Sequence, residues 1–209
     1  MKAVRVKEYG GPEAMCYEDI DVPSPGANDV LVKVEAAGIN FIDTYQRSGL
    51  YQIPLPATLG LEAGGIVEEV GSDVSLFKAG DRVAYTNVAG AYAEYASVPE
   101  DKLVALPDGV SFAEGAAAML QGCTAHYLSQ STYKIKSGDS CLIHAAAGGV
   151  GLLLIQMAKM AGASVIGTVS TEEKAELARA AGADEVILYS ETDFETEVKR
   201  ITDGKGVNV

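Results

Sequence analysis

Residues 140–151 read SCLIHAAAGGVG, an apolar run that leads directly into a turn with three glycines. Its first part, Ser140 to His144, has the composition of a buried β-strand, and apolar residues recur at helical spacing after Val150. A glycine-rich turn between a strand and a helix is the fingerprint of dinucleotide-binding folds, present here as the variant A-x-x-G-x-x-G. The stretch therefore predicts a βαβ unit with a parallel sheet.

Small residues in such a turn have steric roles. Gly148 lets the backbone approach a pyrophosphate, and Gly151 lets the helix pack closely on the strand. Ala147, Gly149 and Val150 complete the predicted loop, and the helix N-terminus offers unpaired amides and a positive dipole end to the anion. The alternative is a tight turn that needs glycine for steric reasons alone, because a glycine pattern by itself is weakly specific.

The second strand, predicted at Ser164–Val169, completes the βαβ frame and indicates which nucleotide binds. An NAD enzyme places Asp or Glu about 20 residues after the glycines, against the ribose 2′-hydroxyl. Here Ser170 and Lys174 follow the strand; a hydroxyl and an ammonium suit a 2′-phosphate, which a carboxylate would repel. Against this, Glu172 and Glu173 lie close by, and Ser170 with Glu173 could merely cap a helix. The residues favour NADPH.

The first half of the chain has a different pattern, with short alternating segments separated by turn residues. It predicts a compact, mostly antiparallel β domain. The predicted strands are Leu31–Ala37, Gly65–Val70, Arg82–Tyr85 and Ala91–Pro99.

Helical sequence follows this half. Ser111 and Glu114 form a capping box ahead of an alanine-rich helix at residues 115–120, and a second helical stretch is predicted around Thr124–Ser131. A third strand is expected at Glu185–Tyr189. The predicted domains are residues 1–123 and residues 124–209.

The overall charge and the hydropathy pattern disfavour two classes of partner. A formal net charge of −13 at pH 7 would repel nucleic acid and anionic lipid. The longest apolar run, Val150–Ala158, is too short to span a bilayer, and Met1–Val6 alternates like a strand instead of leading into a signal peptide. We therefore expect no nucleic acid and no membrane as partners.

The possible metal ligands are few and scattered. Cys16, Cys123 and Cys141 are odd in number and widely spaced, which fits neither a disulfide framework nor a CxxC metal site. His126 and His144 are the only histidines. This pattern predicts no metal site and favours the reducing cytoplasm.

Six short segments together point to one family. They are Gly38–Asp43 (GINFID), Arg47–Tyr51 (RSGLY), Gly60–Gly65 (GLEAGG), Gly80–Val83 (GDRV), Leu120–Ala125 (LQGCTA) and Ala145–Gly151 (AAAGGVG). Along its entire length the chain resembles bacterial NADPH:quinone oxidoreductases, which are zinc-free, zeta-crystallin-like members of the medium-chain dehydrogenase/reductase superfamily. The resemblance implies a GroES-like N-terminal β domain, then a Rossmann-type doubly wound domain truncated after its first half, with the nicotinamide in the cleft between the two.

The resemblance also implies a reaction and a set of residues. Zinc-dependent relatives have Cys where Asn40 lies and His where Leu61 lies, so hydride transfer to a quinone is expected to proceed without zinc, mainly through positioning. Asn40, Tyr45 and Tyr51 are implied to face the nicotinamide or the quinone, with Tyr45 as the best hydrogen-bond donor. Thr124 and Tyr189 match further positions that contact the cofactor in the family.

Several alternatives stay open at this stage. Asn40 could cap a helix through Asp43, and Tyr51 could simply pack in a surface loop. The protein could instead reduce enoyl thioesters, since the same zinc-free frame serves activated alkenes, or it could be a truncated, non-catalytic NADPH-binding module. The family resemblance implies a homodimer.

Overall fold

The computed structural model describes all residues, Met1–Val209, and divides them into two compact units. The N-terminal unit is Met1–Leu120 and the C-terminal unit is Gln121–Val209. The division falls within a single helix, Phe112–Tyr127, which also contains the boundary predicted after residue 123.

The N-terminal unit consists of antiparallel strands in two sheets. Its strands are β1 (Lys2–Val6), β2 (Met15–Asp19), β3 (Asp29–Ala37), β4 (Ala57–Thr58), β5 (Glu62–Val70), β6 (Arg82–Thr86), β7 (Tyr95–Pro99) and β8 (Leu103–Ala105). Helix α1 (Phe41–Ser48) follows β3, and α2 is Phe112–Tyr127. The strand orders are β7-β3-β5-β6-β8 and β2-β1-β4, with every pair antiparallel. The predicted antiparallel β domain is confirmed.

Side chains that alternate between the two faces of β3 and β5 form the core of this unit. Val30, Val32 and Val67 point inward and are at most 1% exposed. Gly65 lies beside a register shift between β3 and β5, and a Cβ there would come within 2.1 Å of the Lys33 carbonyl oxygen. Glycine therefore lets β3 and β5 approach closely.

The strand predicted at Ala91–Pro99 begins only at Tyr95, so its first four residues were predicted wrongly. The reason lies in backbone hydrogen bonds to the other sheet. The Tyr92 amide donates to the Leu59 carbonyl at 2.9 Å, and the Tyr92 carbonyl accepts from the Val4 amide at 2.8 Å. This crossing brings the Tyr92 side chain towards α1.

The C-terminal unit alternates strands and helices. After a π-helical turn at Leu128–Thr132 come β9 (Ser140–Ile143), α3 (Gly149–Met160), β10 (Ser164–Val169), α4 (Glu172–Ala180), β11 (Glu185–Leu188) and α5 (Phe194–Ile201). The strands are parallel in the order β11-β10-β9. This is the third-second-first order of a doubly wound nucleotide-binding half, as predicted.

The last residues extend this sheet beyond β9. The Asn208 amide donates to the Ser140 carbonyl at 2.9 Å, and the Leu142 amide donates to the Val209 carbonyl at 2.8 Å. The chain thus pairs with β9 where a doubly wound sheet places its fourth strand.

The two helical stretches predicted at residues 115–120 and 124–131 are wrong as separate elements. They form one helix, α2, that runs into the π-helical turn. No proline or left-handed glycine interrupts the segment; Gly122 lies inside the helix with open space beside it. The predicted capping box is present, with the Ser111 amide donating to Glu114 Oε2 at 2.8 Å and the Glu114 amide donating to Ser111 Oγ at 3.2 Å. None of the helices is long and apolar enough to cross a membrane.

Two tyrosines test how polar groups contribute to the stability of the N-terminal unit. The Tyr92 hydroxyl donates to Asp43 Oδ2 at 2.6 Å, whereas the Tyr85 hydroxyl is buried without a partner. We expect Tyr92→Phe to lower the free energy of unfolding by about 1–3 kcal/mol, because it leaves a carboxylate short of a donor. Tyr85→Phe should leave that free energy unchanged or raise it. Urea unfolding followed by circular dichroism measures both; equal losses would contradict the assignment.

Candidate functional site

The glycine-rich turn begins with a residue in an unusual backbone conformation. Ala145 has a φ of 50°, in the left-handed region that favours glycine. Two hydrogen bonds hold the turn around it: the Gly148 amide donates to the Ala145 carbonyl at 2.8 Å, and the Ala146 amide donates to the Thr168 carbonyl at 3.1 Å. The turn is therefore tied to the neighbouring strand β10.

Helix α3 begins without a side-chain cap. Its N-cap residue is Gly148, whereas Thr171 caps α4 and Asp193 caps α5 through side-chain oxygens. The backbone amides in the first turn of α3, from Gly149 onwards, thus receive no capping oxygen from a side chain. Amides at a helix start have no acceptor within the helix and need one from elsewhere. An uncapped helix start of this kind suits an anion.

The glycines of the turn differ in how tightly they are enclosed. A Cβ on Gly151 would lie 2.5 Å from the Ala145 carbonyl oxygen, and one on Gly149 would lie 1.9 Å from Gln121 Oε1. A Cβ on Gly148 would meet the Ala145 oxygen at 3.1 Å. Gly151 therefore permits the close packing of α3, and Gly149 makes room for the Gln121 side chain, a contact that the sequence pattern did not indicate.

A cleft of about 180 Å³ opens beside this turn. It gathers five predicted residues, because the carboxyl ends of parallel strands meet at one edge of the sheet. The lining consists of Ala145, Ala147, Gly148, Val169, Ser170, Lys174 and Tyr189. Of the other predicted cofactor contacts in this unit, Gly149, Val150 and Gly151 form the first turn of α3, while Thr124 lies in α2 and does not line the cleft.

The polar groups of the cleft are a hydroxyl and an ammonium. Lys174 Nζ donates to Ser170 Oγ at 3.1 Å. No carboxylate lines the cleft, and Glu172 forms an ion pair with Arg179 along α4. The suggested cap formed by Ser170 with Glu173 is wrong, because Thr171 is the N-cap and accepts from the Lys174 amide at 3.4 Å. Ser170 is therefore left on the cleft surface.

Residues behind the cleft were not anticipated from the sequence. His144 Nδ1 lies 3.0 Å from the hydroxyl oxygen of Thr168, which is 1% exposed. The His144 ring also meets Phe194 edge-on, with 4.9 Å between ring centroids. Ser190 donates to the Ser170 carbonyl at 2.8 Å. These contacts lie at the ends of the parallel strands. His144 and Ser190 come just after β9 and β11, and that location is the signal in the sequence that could have suggested them.

In the N-terminal unit, Tyr45 and Tyr51 form an aromatic cluster with Phe41. The ring centroids of Tyr45 and Tyr51 lie 5.2 Å apart, and those of Phe41 and Tyr45 also lie 5.2 Å apart. Tyr51 remains 53% exposed and Phe41 73% exposed. Tyr51 thus does pack locally, as the alternative held, yet the cluster keeps a large apolar surface open. Phe41 was not singled out in the sequence.

Asn40 is buried and does cap α1 in the way that the alternative suggested. Its backbone amide donates to Asp43 Oδ2 at 2.8 Å, and its side-chain Nδ2 donates to Glu62 Oε1 at 2.7 Å. The same Asp43 oxygen accepts from the Tyr92 hydroxyl. Burial raises the pKa of the Tyr92 phenol, and the Asp43 hydrogen bond and the charges of Asp43 and Glu62 raise this pKa further. Tyr92 therefore remains a neutral donor.

Comparison with known proteins matches each of the two units to a known domain. Residues 26–108 match the alcohol dehydrogenase GroES-like domain, and residues 149–209 match the zinc-binding dehydrogenase domain. A quinone oxidoreductase of Pseudomonas aeruginosa is 52% identical over 206 residues, which cover 98% of this chain and 63% of that protein. The chain carries both domains of the medium-chain dehydrogenase/reductase superfamily and is similar to quinone oxidoreductases over almost its whole length.

Solved structures show the same similarity. The Escherichia coli quinone oxidoreductase in complex with NADPH is 47% identical and superposes with a TM-score of 0.97, over 99% of this chain and 64% of that one. A 2-haloacrylate reductase of a Burkholderia species is 44% identical, over 99% of this chain and 64% of that protein. The chain thus spans slightly less than two thirds of these proteins. No group of three or more His, Cys, Asp or Glu side chains lies close enough together to hold a metal ion.

Two glycine substitutions test the packing of the turn. Gly151→Ala should lower the free energy of unfolding by about 1–3 kcal/mol, because its Cβ would overlap the turn carbonyls. Gly122→Ala is the control, since open space surrounds that position in α2 and alanine favours helix by up to about 1 kcal/mol. Urea unfolding of both variants measures the difference. A Gly151→Ala variant as stable as the wild type would show that α3 does not need this close approach.

Proposed function

We propose that the protein binds NADPH and reduces quinones by hydride transfer without zinc. The observation that carries the cofactor choice is the cleft in which Ser170 and Lys174 stand together and no carboxylate is present. A hydroxyl and an ammonium complement a 2′-phosphate, and a carboxylate at this edge would have favoured NADH. The E. coli relative is a quinone oxidoreductase in complex with NADPH, which supports the same choice.

The proposed cofactor contacts form two groups, one at the glycine-rich turn and one in the cleft. The uncapped start of α3, with Ala147, Gly148, Gly149, Val150 and Gly151, would hold the pyrophosphate. Ser170 and Lys174 would hold the 2′-phosphate, and Tyr189 on the cleft wall would contact the adenosine side. Thr124 and Asn40 are the remaining proposed contacts.

The bound nicotinamide would supply the hydride, and this chain would position the acceptor. We assign Asn40, Tyr45 and Tyr51 to this role. The open rings of the aromatic cluster Phe41, Tyr45 and Tyr51 suit a flat quinone. The Tyr45 phenol would donate a hydrogen bond to the quinone oxygen on which charge develops. Zinc is not assigned, because Asn40 and Leu61 occupy the positions where the resemblance places Cys and His in zinc-dependent relatives.

Two further functions remain candidates. The 2-haloacrylate reductase at 44% identity acts on an activated alkene, which favours enoyl-type acceptors, including enoyl thioesters, as the second choice. A non-catalytic NADPH-binding module is the third. Relative turnover of a quinone and an enoyl thioester separates the first two, and binding without any turnover identifies the third. A homodimer in the cytoplasm, with residues 1–123 as substrate domain and 124–209 as nucleotide domain, completes the proposal.

Lys174→Ala tests the cofactor choice. We expect the wild-type chain to bind NADPH more tightly than NADH. We expect the substitution to weaken NADPH binding by about 10- to 150-fold, while NADH binding hardly changes. The reason is the loss of a charge-assisted hydrogen bond to phosphate, worth about 1.5–3 kcal/mol. Calorimetric titration with each nucleotide measures the ratio.

Lys134→Ala is the matched control for this titration. Lys134 is an exposed lysine of the same unit that forms no ion pair and does not line the cleft. Its removal changes the net charge equally, so an equal loss of NADPH affinity in both variants would point to a long-range charge effect and refute a 2′-phosphate site at Lys174.

Tyr45→Phe tests the proposed hydrogen-bond donor. It keeps the aromatic ring but removes the phenol, so kcat for quinone reduction should fall at least about tenfold, while binding of NADPH stays unchanged. The absorbance of NADPH, followed with a benzoquinone as acceptor, reports the rate. Tyr17→Phe on β2 serves as control, because that tyrosine lies outside the aromatic cluster and is 72% exposed. Equal rates for the two variants would exclude Tyr45 as donor.

A further inference from the structure

Tyr9 lies between β1 and β2, and its hydroxyl bonds to both main-chain groups of one distant residue. The hydroxyl donates to the Ile53 carbonyl at 2.7 Å and accepts from the Ile53 amide at 3.0 Å. A phenol has one proton to donate and lone pairs with which to accept, so these two bonds use both of its capacities. The side chain thus joins two loops whose bonded residues are 44 positions apart in the sequence.

The Tyr9 ring covers the other end of the same loop. Gly49 ends α1 with a φ of 80°, and a Cβ there would lie 2.7 Å from Tyr9 Cγ. Glycine meets both requirements at this position, the left-handed backbone and the close approach of the ring. Tyr9 therefore reaches from Gly49 to Ile53, and Tyr51 lies midway between them in the sequence.

The backbone next to Tyr9 is anchored to the last turn of α1. The Gly10 amide donates to the Arg47 carbonyl at 3.1 Å, and Arg47 Nε donates to the Gly10 carbonyl at 3.3 Å. Two bonds between the same two residues hold this backbone against the helix. The Tyr9 side chain therefore extends from a support that is itself fixed to α1.

The loop that carries Tyr51 depends on such contacts. Its residues, 49–56, lie between α1 and β4 and belong to no helix or strand. Tyr51 is 53% exposed, so burial does little to hold it. The Tyr51 amide donates to the Tyr45 carbonyl at 3.1 Å, and the Ile53 bonds to Tyr9 hold the loop two residues further on. Each bond removes conformations that an exposed loop would otherwise sample.

We propose that Tyr9 is a positioning residue that holds the Tyr51 ring against Tyr45 and thereby shapes the aromatic surface that receives the quinone. The two rings lie 5.2 Å apart, and a shift of the loop would separate them. This inference rests on the proposed function, which places the quinone on the aromatic cluster. Tyr9 acts through Gly49 and Ile53, and all of these residues belong to the N-terminal unit.

Tyr9→Phe separates positioning from folding. Phenylalanine keeps the ring on Gly49 but cannot bond to Ile53, and water can replace these exposed bonds. We expect the Kd for tetramethyl-1,4-benzoquinone, measured by calorimetry on the nucleotide-free chain, to rise about five- to tenfold, within the range of one lost hydrogen bond. This quinone has no open ring position to which the exposed Cys16 or Cys123 could add. The Kd for NADPH should stay within about twofold of wild type. An unchanged quinone affinity would overturn the proposal.

Tyr51→Ala shows whether Tyr9 acts through Tyr51. It removes the ring that Tyr9 holds, so the addition of Tyr9→Phe should weaken quinone binding no further. A further loss in the double variant would mean that Tyr9 acts by another route, and would refute the positioning role. Tyr17→Phe is the matched control for Tyr9→Phe, since it also removes one phenol hydroxyl from the same unit, but its ring is exposed on β2 beside Lys2.

A measurement without ligand completes the test. Nuclear Overhauser contacts between the ring protons of Tyr45 and Tyr51 should be present in the wild type and weakened in Tyr9→Phe. Contacts of equal strength in both would overturn the proposal. A wild-type chain that does not bind the quinone would contradict the proposed function, and the ring contacts then decide by themselves whether Tyr9 positions Tyr51.

Discussion

The close approach of α3 to the turn after β9 determines the geometry of the C-terminal unit. Without a Cβ on Gly151 the helix lies against the carbonyls of Ala145 and Ala146, and the turn in turn bonds to β10 through Thr168. The helix consequently starts at the edge where the parallel strands end. This one steric constraint places an uncapped helix start, a hydroxyl and an ammonium around the same small cleft.

The N-terminal unit depends on a different constraint, a network of buried carboxylates. Glu62 and Asp43 bond to the side chain and the backbone of Asn40, and Tyr92 donates to Asp43 from the segment that crosses between the two sheets. The members lie at the start of α1, at the start of β5 and in the segment before β7, so the network fixes α1 relative to β5. Low polarity inside the unit strengthens these bonds and makes a missing partner expensive. Phe41 and Tyr45 of the aromatic cluster lie on this same helix.

The sequence predicts much of the fold and of the cleft. The features that it did not predict have physical causes. Ser170, Lys174 and Tyr189 meet because strand ends of a parallel sheet share one edge, a rule that needs only the order of elements. Glu62 was not singled out, because its contacts to Asn40 and Leu120 are distant in sequence and no periodicity encodes them. The beginning of β7 was misplaced since alternation cannot tell which sheet a segment pairs with.

Two electrostatic effects act on a nucleotide at the cleft, and they differ in the distance over which they act. The chain as a whole carries a formal charge of −13, which repels any phosphorylated ligand at a distance. Screening reduces that repulsion beyond about 8 Å at physiological salt, whereas the contact of an ammonium with a phosphate acts within hydrogen-bonding distance. Glu172 at the start of α4 forms an ion pair with Arg179 and not with Lys174. Selection of a nucleotide must therefore arise from contacts inside the cleft, and the acidic surface affects mainly how fast the nucleotide arrives.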